Sequence, residues 1–294
     1  MSARHLGILV LGVVAVSFSA IFIRLAEAPA LTIAFYRNAM AAAVLVPLAF
    51  IRQGDEIRSL KKGQVAVGAL SGAFLAGHFA TWISSLSYTT VAASSVLVVT
   101  QPIWIGVLGR FWGEGIHRAA LGGVILALIG TLVVSGGDLG GSSRALFGDV
   151  LSVIGAIFAG AYFVAGREVR REVSVLTYVS IVYTTCAVLL GIAAVASGAR
   201  MTGFPAETWW MFVLLTIGPQ IAGHTVFNYL LGHLEAAVVA VAIMAEPVAA
   251  TLLAIVILSE QPPVTAVIGG VMILAGVFLA IRAQARADVE LAVE

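Results

Sequence analysis

Apolar residues in this chain come in long continuous runs, neither alternating nor confined to one helical stripe. A helix that crosses a bilayer needs about 20 mostly apolar residues. Runs bounded by charges, Gly/Pro clusters or polar turns lie near 5–26, 31–51, 64–86, 91–112, 119–136, 147–167, 174–197, 207–232, 236–258 and 264–282. They predict ten spanning helices, the fifth of them short, with several links of only a few residues. Transmembrane strands would alternate apolar and polar over about ten residues, and these runs do not. The first run follows a short basic start, Met1–His5, with Ser17 and Ser19 placed like residues near a signal-peptide cut. It continues to Ile23, long enough to span, and is read as a retained helix.

Composition agrees with this pattern. Of 294 residues, 61% are hydrophobic and 11% charged, where soluble domains carry about a quarter charged. Mean hydropathy is +1.06. The expected fold class is an all-α membrane protein. The net charge of +1 is informative only in its distribution. With the N-terminus inside, the inner segments hold twelve Lys or Arg (Arg4, Arg52, Arg58, Lys61, Lys62, Arg110, Arg118, Arg167, Arg170, Arg171, Arg282 and Arg286). The outer segments hold three, Arg24, Arg144 and Arg200, and Arg37 lies within a span. The positive-inside rule then puts both termini in the cytoplasm. Cys186 is the one cysteine, so an intrachain disulfide is impossible.

The chain says one thing twice. Gly77-His78, Gln101-Pro102 and Gly122-Gly123 recur as Gly223-His224, Glu246-Pro247 and Gly269-Gly270, at offsets of 145 to 147 residues. Glu114 and Glu260 follow the two Xaa-Pro pairs in the same order. Ten apolar helices share some similarity by chance, but not four features in one order. The halves, 1–140 and 141–294, each hold five helices. An odd number inverts the second copy, giving repeats related by an axis in the membrane plane. Secondary transporters use this arrangement, with the site near the midplane where the repeats meet.

Glu246-Pro247 inside an apolar run, Leu258-Ser259-Glu260 after it, the Gly-rich closing helix and the run Ala34-Phe35-Tyr36-Arg37-Asn38-Ala39 resemble the EamA family of the drug/metabolite transporter superfamily. The resemblance covers nearly the whole chain. It implies a multi-pass protein of a bacterial inner membrane that moves a small molecule across the bilayer. Length, ten spans and aromatic content are similar to the exporters of aromatic amino acids of the YddG type. Gln101 departs from the pattern, leaving one intramembrane carboxylate where a symmetric pair would have two.

Polar residues inside spans are functional candidates. Phe74, His78, Thr81, Trp82 and Ser85 share a face of the third run, and Gln220, His224 and Asn228 form a stripe at four-residue spacing in the eighth. Two readings are open for these stripes: one shared aqueous cavity, or interhelical hydrogen bonds worth about 0.6 kcal/mol each. A carboxylate and a proline at the centre of a run are both unfavourable there. Pro247 is expected to clash with the carbonyl of Ile243. For Glu246 three functional states are open (protonated, paired with a cation such as Arg37 or Arg24, or binding a substrate ammonium), beside a structural role capping groups freed around Pro247. Trp82 and Tyr162 are candidates for an aromatic wall. Ser152, Gly155, Ala159 and Tyr162 share a face where the backbone can approach closely. Trp104, Trp112, Trp209 and Trp210 are expected in interfacial belts. Gly68, Gly72 and Ala76 are expected to serve helix packing, and Glu114 and Glu260 to be solvated anchors. The candidate substrate-binding set is Ser17, His78, Trp82, Gln101, Tyr162, His224, Asn228 and Glu246.

Some chemistry is missing from the sequence. There is no phosphate-cradling GxxxxGK[ST], no HExxH and no Cys/His cluster, so neither ATP drive nor a metal or other cofactor is expected. In-span basic residues are too few for a phosphorylated cargo, and nothing points to nucleic acid. The expected partners are a small-molecule substrate and the lipid bilayer. The expected activity is alternating-access export of an aromatic or other bulky amino acid, with Pro102 and Pro247 as pivots. A multidrug carrier for lipophilic cations, using Glu246, is the first alternative. An intramembrane enzyme or receptor, built on His78, His224 and Glu246, is the remote one.

Overall fold

The computed structural model describes residues 3–109, 118–139, 142–230 and 243–293. The helices are α1 (Ala3–Ser17), α2 (Ser19–Leu25), α3 (Ala30–Ser59), α4 (Lys62–Ser85), α5 (Val91–Val98), α6 (Gln101–Gly109) and α7 (Leu121–Leu139). They continue with α8 (Ser143–Arg170), α9 (Val175–Ala196), α10 (Ala206–Leu215), a π-helical turn (Thr216–Thr225), α11 (Val226–Leu230), α12 (Glu246–Leu258) and α13 (Val264–Val293). There is no strand among the described residues. Among the described residues, eight helical stretches are long and apolar enough to cross a membrane, and the apolar helices Leu121–Val134 and Glu246–Leu258 are shorter. Trp112, Glu114 and the expected start of the ninth run, 236–242, lie outside the described residues.

Three expected continuous runs are not uniform helices. The first breaks at Phe18, between α1 and α2. The eighth passes into the π-helical turn, which contains Pro219. The fourth breaks at Val99-Thr100, where the Thr100 N–H (3.2 Å) and Oγ (2.7 Å) both donate to the Leu97 carbonyl. Proline placement corrects the sequence expectation. Pro247 does not sit mid-helix against Ile243. It occupies the first turn of α12, after a turn at Met244-Ala245. Pro102 likewise sits second in α6. Proline lacks an N–H and its ring collides with the carbonyl four residues back, so it is tolerated in a helix's first turn. At Pro102 the upstream helix α5 has ended at Val98, and at Pro247 the turn at Met244-Ala245 intervenes, before the collision arises.

Neighbouring helices pair as α3 with α9, α4 with α8 and α9, and α7 with α13. The π-helical turn and α11 lie against α1, α10 against α2 and α3, and α12 against α1, α2 and α5. Lipid chains are as apolar as leucine, so helices in a bilayer associate through close packing and hydrogen bonds more than through hydrophobic burial. The α7–α13 pair illustrates this. A methyl placed on Gly130 or Gly269 would meet the other's backbone within 3 Å, so only glycine lets the two axes approach so far. Gly68 and Gly72 play the same part against Ile181 and Val182 of α9, as expected. Leu132, Val256 and Val264 are more than 70% exposed, forming an apolar outer surface suited to lipid.

Loop contacts sort into two ends. At one, Thr32 donates to the Arg200 carbonyl (2.9 Å), Arg144 to Ser87 (2.9 Å) and Arg24 to Thr89 (2.9 Å). At the other, the Glu56 carboxylate accepts from the Ser174 N–H (2.6 Å), the Ser174 hydroxyl (2.5 Å) and Thr177 (2.7 Å), and Lys61 pairs with Glu172 at 3.8 Å. Glu260 corrects a second expectation. It is no free anchor: its Oε1 accepts from the Val91 N–H at 2.6 Å, capping α5, and its Oε2 lies 3.5 Å from Arg24.

Candidate functional site

The two helix breaks open onto one internal pocket. Its wall carries Val98, Val99 and Gln101 from the first break, and Ile243 and Glu246 from the second. His78 and Trp82 come from α4, His224 from the π-helical turn, and Ser19 from the start of α2. Two N-terminal helix ends thus face the same space, a placement that favours negative groups.

His78 is oriented by α8. Its Nδ1–H donates to the Gly155 carbonyl at 2.9 Å, since a carbonyl can only accept. The close approach expected at Gly155 is therefore one of helix to helix: a side chain there would press on Trp82 and Thr81. The His78 ring lies parallel to Trp82, centroids 5.8 Å apart, and tilts on Phe79 at 4.9 Å. Phe79 meets the His224 ring edge-on at 5.5 Å. His78 and His224 are bridged by one aromatic ring.

On its other side Phe79 lies beneath the Arg37 guanidinium, 4.1 Å from the ring centroid, a favourable cation–π placement. Arg37 is fully buried. Its Nε donates to Gln220 Oε1 at 2.8 Å and its Nη1 to Ser19 Oγ at 3.3 Å, while Gln220 donates in turn to Asn38 at 3.2 Å. The network ties α2, α3 and the π-helical turn around one charge.

Of the sequence candidates, His78, Trp82, Gln101, His224 and Glu246 surround the pocket. Three stand elsewhere. Tyr162 and Asn228 satisfy each other at 2.8 Å, behind the pocket wall. Ser17 donates to its own helix at Val13, 2.8 Å away, and the break at Phe18 brings Ser19 to the pocket in its place. Gln220 and His224 are four apart, yet one braces Arg37 and the other faces the pocket. Ser19, Phe163, Phe227 and Ile243 were not singled out. The apolar three look like any core residue in sequence, and Ser19 differs from Ser17 only through the helix break. The aromatic belts also divide. Trp210 is exposed, whereas Trp209 packs on Tyr36 and Phe212. No group of three or more potential metal ligands gathers among the described residues.

Long apolar helices around a polar interior define a multi-pass membrane protein. The chain belongs to the EamA-like transporter family, whose model matches it twice, over residues 5–136 and 146–282. A relative from Archaeoglobus fulgidus, an uncharacterized transporter, is 30% identical over 272 residues, covering 91% of this chain and 93% of its own. A second transporter of that organism is 25% identical over 205 residues, covering 69% of this chain and 72% of its own. The uncharacterized transporter YetK of Bacillus subtilis is 30% identical over 103 residues, about a third of each chain (33% and 31%). A solved crystal structure at 20% identity covers 95% of this chain and 98% of its own with a TM-score of 0.69, a likeness of fold. The family and the relatives' names are those of transporters rather than enzymes.

Proposed function

We propose that the protein is a secondary carrier that exports a small, partly apolar amino acid, aromatic or otherwise bulky, by alternating access. The observation that carries this reading is the meeting of the two broken helices, and of His78 and His224, at one pocket. In this reading ten spans form two inverted halves, 1–140 and 141–294, in a bacterial inner membrane, with both termini cytoplasmic. Packing supports it: the third span lies on the sixth as the eighth lies on the first, and the fifth and tenth lie on each other. The two family matches, 5–136 and 146–282, fall on the two halves.

Trp82 and Phe163 offer ring surfaces, and His78, His224, Gln101 and Glu246 offer polar ones. The pocket's free volume of about 50 Å³ holds a few waters and no bulky amino acid. Loading therefore requires the halves to part, and the breaks before Pro102 and Pro247 are natural pivots.

Counterflow of radiolabelled amino acids in proteoliposomes tests the reading. Saturable exchange of at least one is expected, and none for any would remove the cargo assignment. His78→Ala and His224→Ala should each lower flux without lowering expression. Glu246, the acid of the pocket, gives the lipophilic-cation alternative its handle. That alternative predicts that Glu246→Gln abolishes resistance to such cations and spares amino acid exchange.

A further inference from the structure

One membrane-spanning helix carries a fully buried cation. Arg37 is 0% exposed, and it makes no ion pair among the described residues. Its Nη2 is buried without a hydrogen-bond partner among the described residues. Removing a charge from water costs several kcal/mol unless it is compensated, and an ionisable side chain held inside a membrane bundle marks a functional site by default. Gln220 and Ser19 satisfy two of its nitrogens with neutral oxygens, and Glu246, on the pocket that Ser19 lines, is the acid whose field reaches it.

Ser19 connects that charge to the pocket. Its oxygen accepts from Arg37 Nη1, so its hydroxyl proton remains to donate, and Ser19 lines the pocket. A hydroxyl polarised by a guanidinium is a strengthened donor. A second donor stands on the same wall. Trp82 is 4% exposed, and its indole N–H has no partner among the described residues. The unmet hydrogen-bonding capacity of Ser19, Trp82 and Arg37 is N–H or O–H, which acceptor oxygens would meet; Glu246 is the acid on the same pocket lining, suited to a cargo's ammonium.

We propose that Ser19, Trp82 and Arg37 form a carboxylate subsite. The Ser19 hydroxyl and Trp82 indole donate to the cargo's carboxylate, and Arg37 balances its charge from behind Ser19. This rests on the carrier reading and narrows its cargo to molecules bearing a carboxylate, excluding simple amines and lipophilic cations. Arg37 then acts as a positioning and charge-balancing residue, Ser19 and Trp82 as the contacts.

The test is equilibrium binding to the purified full chain in detergent, using 3-phenylpropionate, L-phenylalanine and L-phenylalaninamide as probes. A hydrogen bond to a charged group is worth about 1.5–3 kcal/mol, so the acids should bind roughly 10- to 100-fold more tightly than the amide. Arg37→Gln and Ser19→Ala should each erase most of that preference. Ser19→Ala removes one oxygen and leaves Arg37 in place, so it carries the test if Arg37→Gln fails to fold. A purely structural brace would lower the melting temperature of the unliganded variants and leave the acid-to-amide ratio of Ser19→Ala unchanged, which would overturn the subsite. A wild type that binds the acids no better than the amide, or not at all, would overturn it too. The carrier reading fails separately, by absent counterflow in proteoliposomes although acid binding is retained.

Discussion

The broken helices α5–α6 and the start of α12 are the same backbone device with different chemistry. In each, an Xaa-Pro pair begins a helix immediately after a turn, and the Xaa side chain faces the common pocket. Their surroundings differ. Every residue of α5 is buried, whereas α12 shows Val248, Leu252 and Val256 to the outside. Their side chains differ by one functional group: Gln101 is neutral and Glu246 is an acid. The difference teaches that two Xaa-Pro turns can bring similar backbone to one pocket with unlike electrostatics. A second carboxylate would add a like charge in a poorly solvated space, with Arg37 as the buried cation near by.

Gln101→Glu breaks that asymmetry most severely. An added carboxylate within a span is expected to destabilise the protein by about 2.5–3.5 kcal/mol. Thermal unfolding in detergent measures this, and an unchanged midpoint would mean that the pocket solvates two acids freely. Glu246→Gln makes the pair alike in the opposite sense. If Glu246 holds the cargo's ammonium, the lost charged hydrogen bond is worth about 1.5–3 kcal/mol, a roughly 10- to 100-fold weaker apparent affinity in counterflow. Full retention of affinity would reduce Glu246 to a structural cap.

Glu260→Ala sharpens the comparison from the loop end, where Glu260, just after α12, caps α5. Loss of a cap costs about 0.5–2 kcal/mol, read as a lowered unfolding midpoint, and Arg24→Ala should cost less because that contact is longer and half-exposed. The smallest effect on stability is expected from Pro102→Ala and Pro247→Ala. Proline in a helix's first turn lacks only an N–H that is unpaired there anyway, so stability should change by less than about 1 kcal/mol. Flux should fall further than stability if the breaks are pivots. Equal loss in both measurements would assign the prolines to folding alone.

Much of the fold was legible because membrane spans announce themselves by length and continuity, and because the repeated His, Xaa-Pro, Glu and Gly-Gly landmarks could be counted along the chain. Five pocket residues were legible for the same reason: a His, Trp, Gln or Glu inside an apolar run has few ordinary explanations. Tyr162 and Asn228 carried the same signal and turned out to satisfy each other. Hydrogen-bonding type can be read from sequence, whereas the identity of the partner cannot. Glu260 was misread as an anchor because the N–H it caps, that of Val91, lies 169 residues away.

By itself the sequence determined the class of environment, the recurrence of the landmark residues along the chain, and the presence of an acid beside a proline and of an arginine within apolar runs. These follow from transfer free energies and chain order, which are local properties. Only the tertiary structure decided that α6 and α12 begin at their Xaa-Pro pairs, that Ser19 rather than Ser17 reaches the pocket, and that Arg37 stands over Phe79 with Gln220 and Ser19 as its hydrogen-bond partners. Such facts depend on how helices rotate and how closely they approach, and those are set by contacts between residues far apart along the chain.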